Sequence, residues 1–201
     1  MLLILWWMQE AIEIGTTHRQ NIWYVFVIPA SFLPFPIRRT HVFLPDILPE
    51  KVYKDDAIVT KYLDGKPVSS LSQPAVMAIM LEQLDLQRGD RVLEIGAGTG
   101  YNAALIAHVV GESGQVIAID IDEDIVQAAQ MHLAEAGFEQ VKVICADGRF
   151  GYPSTVPYDR IILTVAVWDI AIAWQEKLKP QGKLVLPLTL KDDIQIIIAF
   201  E

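Results

Sequence analysis

The chain reads as an α/β protein built on a doubly wound, mostly parallel sheet. Three observations predict this. From Ser69 onward, short apolar runs alternate with amphipathic stretches. The runs are nearly continuous in Val, Ile and Leu, as in strands covered by helices on both faces. The first of them ends in Glu94-Ile95-Gly96-Ala97-Gly98-Thr99-Gly100, a glycine-rich passage from a strand into a helix. An alternating βα order places such strands side by side and parallel.

Gln73 to Leu84 carries apolar residues at Val76, Ala78, Ile79, Met80, Leu81 and Leu84, an amphipathic helix. Ser72 suits its N-cap and Pro74 its first turn. Arg91 to Ile95 is the first strand of the alternating series, and Tyr101 to Val110 the helix that leaves the glycine loop. Gln115 to Asp120 is a strand closed by an acid. Asp124 to Ala136 is a helix stopped by Gly137. Val141 to Ala146 and Asp159 to Val165 are strands. Ile170 to Leu178 is a helix followed by Pro180 and Gly182. Lys183 to Leu188 and Ile194 to Phe200 complete the series, the last strand or strands of the sheet being absent.

Three zones divide the 201 residues. Residues 1 to 37 are apolar, aromatic and irregular. The run Met1 to Met8 is short and lacks the positive flank of a signal peptide. The run Ile22 to Ile37 is broken by Pro29, Pro34 and Pro36 and is shorter than the ~20 residues of a spanning helix. No membrane span is therefore expected, and the expected compartment is the cytoplasm. Residues 38 to 68 read as loop-rich, punctuated by Pro45, Pro49, Gly65 and Pro67. Residues 69 to 201 form the ligand-binding domain. The formal charge of −9 argues against a nucleic-acid partner, which calls for a basic surface. The single Cys145 excludes an internal disulfide and a cysteine-built metal site, so no metal is assigned. Its apolar neighbours predict a buried small hydrophobe.

The glycine spacing is G-x-G-x-G. A dinucleotide loop needs G-x-G-x-x-G, and Tyr101 stands where its last glycine would be. No lysine follows in the manner of a P-loop. Glu94 would repel a pyrophosphate, whereas a ligand bearing an ammonium or sulfonium group would be drawn to it. That favours S-adenosyl-L-methionine. Asp120 ends the next strand, at the ~20-residue spacing where an acid can accept ribose hydroxyls. Asp147-Gly148 closes the third strand, placed to meet an adenine edge. The plainer alternatives are a solvated strand end for Glu94, an N-cap for Asp120 and an ordinary turn at Asp147.

Residues from about Arg38 onward resemble the protein-L-isoaspartate O-methyltransferases, of the Rossmann-like class I methyltransferase fold. The resemblance rests on Val92 to Tyr101, Ala146-Asp147-Gly148-Arg149-Phe150-Gly151-Tyr152, Pro157-Tyr158-Asp159-Arg160 and Leu178 to Pro187. Ser69-Ser70-Leu71-Ser72-Gln73-Pro74 is similar to the family's serine-containing active-site segment. The resemblance implies Ser72 as the active-site serine, with Ser69, Ser70 and Leu71 bordering the donor. It implies Glu94, Gly96, Gly98, Gly100, Asp120, Asp147 and Gly148 as donor-binding positions. The implied reaction is methylation of an isoaspartyl carboxylate in a protein or peptide. A monomer is the expected form. Ala75 departs from the family, where histidine is common. A looser resemblance, through Ser72-Gln73-Pro74 and Ala166-Val167-Trp168-Asp169-Ile170, is to a subgroup that tailors peptides at aspartate. A small-molecule methyltransferase and a truncated, inactive donor-binding module are the alternatives.

The chemistry agrees with a carboxylate acceptor, which is already ionised near neutrality and needs no general base. His108 and His132 both fall within helices. Ser72 can donate to the acceptor carboxylate, and Thr164 can assist. Trp168 either walls the cleft or packs in the core, while Trp174 and Phe138 read as core.

Overall fold

The computed structural model describes residues 37–152, 157–191 and 194–201. Apart from Ile37, the apolar zone read at residues 1 to 37 lies outside them. A 3-10 helix (Ile37–Phe43) and a single turn of helix, α1 (Pro49–Val52), lead in and bury Phe43, Leu44 and Val52. The stretch read as loop-rich then holds most of a hairpin, β1 (Ile58–Leu63) antiparallel to β2 (Lys66–Leu71). Its turn residues Asp64 and Gly65 have φ of 50° and 75°. Two positive values in succession are what a type I′ turn requires.

Helix α2 spans Pro74–Leu84, and its N-cap is Gln73, which makes no side-chain capping bond. Ser72 therefore does not cap it. Asp55 does so from across the chain: Oδ1 accepts the Ala75 N–H at 2.9 Å and Oδ2 accepts Gln73 Nε2 at 2.9 Å. Pro74 has no N–H to satisfy at the first turn.

The main sheet follows: β3 (Arg91–Ile95), α3 (Tyr101–Val110), β4 (Gln115–Asp120), α4 (Glu123–Ala136), β5 (Lys142–Cys145), β6 (Tyr158–Leu163), α5 (Ile172–Lys177), β7 (Leu178–Thr189) and β8 (Gln195–Phe200). The strand order is β5-β4-β3-β6-β7-β8, parallel except for β8 against β7. The order reverses at β3, with β4 on one side and β6 on the other. Ligands of open α/β sheets bind outside the carboxyl ends of the strands at such a point. Helix α5 is shorter than the stretch Ile170 to Leu178, because Leu178 already pairs with Tyr158. Cys145 is exposed rather than buried, since β5 is an edge strand and its last residue faces outward.

Side chains along each strand alternate between two cores. Val92, Val116, Ala118 and Ile162 face α2, α3 and α4, while Leu93, Ile95, Ile117 and Ile161 pack with Trp174 on the other face. The same alternation puts Glu94, two residues from Val92, on the side of α3. Among the described residues, no helix is long and apolar enough to cross a membrane.

Below this site, the amino ends of the strands are stapled together. Asp159 Oδ2 accepts the Arg91 N–H at 2.9 Å, and Oδ1 accepts Lys179 Nζ at 2.7 Å. Burial works to raise the Asp159 pKa, but these donors outweigh it and hold the carboxyl below its ordinary range. Arg160 donates to the Leu84 and Asp85 carbonyls at the end of α2 and lies 3.6 Å from Asp90. The Pro-Tyr-Asp-Arg element is thus structural, at the end of the sheet opposite the glycine loop.

Candidate functional site

The glycine loop turns sharply because its residues can. Gly96 has φ of 100°, which favours glycine. A Cβ there would lie 2.5 Å from Thr164 Oγ1 and 2.7 Å from Val165 Cγ1, so the backbone closes tightly on the end of β6. Thr164 Oγ1 donates to the Gly96 carbonyl at 2.5 Å. Its proton is committed to the loop, and it can serve a ligand only as an acceptor. Gly100 has φ of 86° and caps α3, and a Cβ there would meet Leu133 and the Ala129 carbonyl of α4. Gly100 therefore lets two helices approach and faces no cleft. Tyr101 turns away as well: it is buried, its hydroxyl accepts from Thr40 Oγ1 at 3.1 Å, and its ring meets Phe43 edge-on at 5.4 Å.

Above the loop lies a small cleft, with a cavity volume of about 30 Å³. Ser70, Leu71 and Ser72 of the hairpin's exit form one wall. Gly96, Ala97, Gly98 and Thr99 form the floor, with Glu94, Asn102, Met77 and Thr164 around them. Of the residues singled out in the sequence, Ser70, Leu71, Ser72, Glu94, Gly96 and Gly98 meet here. Ser69, Gly100, Asp120, Asp147 and Gly148 stand outside this lining. Ser69 is on the hairpin, its Oγ accepting from Thr60 Oγ1 at 3.2 Å.

Glu94 is fully buried, with 0% exposure. Asn102 Nδ2 donates to its Oε1 at 2.7 Å, while Oε2 has no partner. Burial pushes its pKa from 4.5 up to about 8; the Asn102 bond opposes this and the nearby Asp120 charge adds to it. Asp120 is only half-buried and organises the loop: Oδ2 accepts the Gly98 N–H at 3.1 Å and Oδ1 the Asp122 N–H at 3.3 Å. Each carboxylate oxygen keeps a lone pair. Asp147 accepts the Arg149 N–H at 3.0 Å and pairs with the Arg149 guanidinium at 2.6 Å, which lowers its pKa. Gly148 is a packing glycine: a Cβ would lie 2.4 Å from Ile95 Cγ2, and its carbonyl accepts Trp174 Nε1 at 2.9 Å. Trp168 is 78% exposed and so is no core residue, whereas Trp174 and Phe138 are buried. His132 sits in α4 with Nδ1 3.0 Å from the Thr99 carbonyl, helping hold the loop from behind.

Sequence reasoning passed over Asn102 and Asp55. A signal for Asn102 was present, since it is the one amide in a mostly apolar α3, seated one helical step beyond the loop. Asp55 left no such mark, because its partners lie about 20 residues on.

The family of protein-L-isoaspartate(D-aspartate) O-methyltransferases (PCMT) matches residues 36–201. The chain belongs to this family. It is 38% identical over 164 residues to the protein-L-isoaspartate O-methyltransferase of Thermotoga maritima, covering 82% of this chain and 51% of that one. It is 40% identical over 161 residues to protein-L-isoaspartate O-methyltransferase 2 of Archaeoglobus fulgidus, covering 80% and 70%. A solved protein-L-isoaspartate O-methyltransferase superposes with a TM-score of 0.78 at 35% identity, over all of this chain and 59% of that one. A Plasmodium falciparum structure of the same name, in complex with S-adenosyl-L-homocysteine, shares the fold with a TM-score of 0.68 at 18% identity, over 80% of this chain and 76% of that one. The chain thus spans about half the length of its Thermotoga relative. The Rossmann-like methyltransferase fold of the protein-L-isoaspartate O-methyltransferases is the fold described above.

Proposed function

We propose that this chain binds S-adenosyl-L-methionine above the glycine loop and methylates an isoaspartyl or aspartyl side-chain carboxylate of a protein or peptide. One observation carries the reading: the buried Glu94 carboxyl, with an unpartnered oxygen, lines the same cleft as the serine wall 70–72. A buried carboxylate needs a cationic partner, and the donor brings one. When bound, S-adenosyl-L-methionine supplies an electrophilic methyl group on a sulfonium.

The chain's own residues hold and orient. Gly96 and Gly98 let the backbone approach the donor, and Gly100 sets the helix that carries Asn102. Asp120 keeps two lone pairs for ribose hydroxyls, and Asp147-Gly148 borders the adenine, its carboxylate steadied by Arg149. Ser69, Ser70 and Leu71 border the donor from the hairpin. Ser72 has no hydrogen-bond partner among the described residues, so its hydroxyl is available to donate to the acceptor carboxylate. Such a carboxylate is ionised near neutrality and needs no base. Placement of the two reactants side by side is then the main contribution of the site. The working form is a cytoplasmic monomer acting on protein or peptide, without a nucleic-acid partner.

The test is incubation with methyl-labelled donor and paired peptides, one aspartyl and one isoaspartyl, scored for base-labile methyl. Release of methanol from the isoaspartyl peptide alone is the expected result. Labelling of the aspartyl peptide alone would move the reading to peptide tailoring. A base-stable product on a small molecule would overturn the carboxylate acceptor.

A further inference from the structure

Between β6 and α5 the chain crosses the carboxyl end of the sheet, and its backbone there is pinned. The Thr164 N–H donates to the Ile95 carbonyl at 2.9 Å. The Val167 N–H donates to the Pro187 carbonyl at 3.1 Å, and the Val167 carbonyl accepts the Thr189 N–H at 2.7 Å. Asp169 Oδ1 accepts the Ile170 N–H at 2.8 Å. Val167, Ile170 and Ala171 pack against the core that holds Trp174. Three larger side chains among these anchors do the opposite: Val165, Trp168 and Ile172 are 44%, 78% and 71% exposed. One exposed apolar side chain is ordinary, whereas several together on a fixed backbone mark a place of contact. These three are continuous with the cleft. Thr164 lines it, and Val165 packs on its floor, since a Cβ on Gly96 would lie 2.7 Å from Val165 Cγ1. Trp168 follows Thr164 by four residues, so their Cα atoms are at most about 14 Å apart.

We propose that Trp168, together with Val165 and Ile172, reads the polypeptide around the acceptor carboxylate and selects an apolar side chain within about four residues of it. This rests on the carboxylate-acceptor reading above and deepens it with a sequence preference. Topology gives this side to the acceptor. Asp120 and Asp147, assigned to the donor, lie at the ends of β4 and β5 on one side of β3, while the three apolar residues follow β6 on the other. An extended peptide spans about 14 Å in four residues, which sets the reach of the preference. An indole loses little conformational freedom on binding and offers a large contact area. Its face also attracts cations, but aliphatic Val165 and Ile172 add nothing for a charge and favour an apolar partner. Trp168 is thus a specificity residue and takes no part in the methyl transfer itself.

Three isoaspartyl peptides of one length test this. They carry leucine, serine or lysine at the second and third positions on both sides of the acceptor, and kcat/KM is measured for each at saturating donor. The parent chain is expected to favour the leucine peptide over the serine peptide by on the order of tenfold, through KM and not kcat. Trp168→Ala is expected to bring that ratio towards one with affinity for S-adenosylhomocysteine unchanged, and Trp168→Phe to keep most of it. Equal kcat/KM for the leucine and serine peptides in the parent would overturn the surface, and this arm needs no variant. A lysine peptide preferred over the leucine peptide would overturn the apolar selection. An undiminished leucine preference in Trp168→Ala would overturn the assignment to Trp168. Should no peptide be methylated, calorimetry of the same peptides on the chain loaded with S-adenosylhomocysteine separates the two readings. A leucine preference in affinity would then keep the surface and refute only the carboxylate acceptor, while equal or absent binding would overturn both.

Discussion

At the amino ends of β3, β6 and β7, Asp159, Arg160 and Asp90 are bonded to one another's strands, to Lys179 and to the last turn of α2. At the carboxyl end of β3, Glu94 Oε2 and Asn102 Oδ1 are buried with nothing to accept from. Both sets lie on one sheet, only a strand's length apart. The amino end places charge where its partners are built into the chain, and it yields stability. The carboxyl end leaves buried acceptors without partners in the chain, which is what the proposed donor site would use. A charged residue in this fold is therefore understood by whether its hydrogen bonds close within the chain.

Substitutions at the two ends should separate these roles, and Glu94 should show the largest effect. Its pKa is about 8 in the folded chain against an ordinary 4.5. Between these values the folded state holds a proton that the unfolded state releases, so stability falls as pH rises through the window and levels above about 8. The slope reaches up to about 1.4 kcal/mol per pH unit. In Glu94→Gln that loss should vanish, the variant gaining on the parent across the window in urea midpoints. A constant difference across it would show that Glu94 does not hold the proton. Donor affinity should move the other way: in the parent it weakens as pH falls below about 8, by up to tenfold per unit, and in the glutamine variant it is weak and flat.

Asp159→Ala should come next, costing about 2 kcal/mol of stability while donor affinity per folded molecule stays unchanged. Since the folded Asp159 pKa is lowered, its contribution is present above the unfolded carboxyl pKa and is lost as pH falls through the folded value. Weakened donor binding in this variant would break the division between the two ends. Asp120→Ala should weaken donor binding on the order of tenfold, and an unchanged affinity would refute its assignment to the ribose. Ser72→Ala should do least to the fold, within about 0.5 kcal/mol, because Asp55 and not Ser72 satisfies the start of α2. Its effect should appear in turnover with little change in donor affinity.

Much of this was legible in the sequence where burial imposed a pattern. β3, α3 and β4 fall at the residues expected, because strands buried on both faces and a helix buried all round leave continuous apolar runs. The hairpin escaped because little of it is buried: β1 and β2 place only Leu71 in the core, so no alternation marks them. Asp64-Gly65 was the local signal for it, of which Gly65 alone was read, as punctuation beside Pro67. Cys145 misled because an apolar run says nothing about which strand sits at the edge. In the site, Glu94 could be read from its place at a strand end. Asn102 acquires its meaning only through the helix that turns it toward Glu94.

Besides Leu71 and Ile58 at its core-facing end, the hairpin is tied to the start of α4 by Lys61, whose Nζ lies 3.2 Å from Asp122 and 2.8 Å from Asp124. A two-stranded ribbon is marginally stable by itself, and exposed ion pairs weaken with salt. Its backbone amides should therefore exchange with solvent well ahead of those in β3 and β4, by local opening, and faster still as ionic strength rises. Since Ser70 to Ser72 are the ribbon's exit, each such opening also swings back one wall of the cleft. The least protected part of the cleft's lining is thus the fourteen residues 58 to 71, carried on a sheet that is buried on both faces.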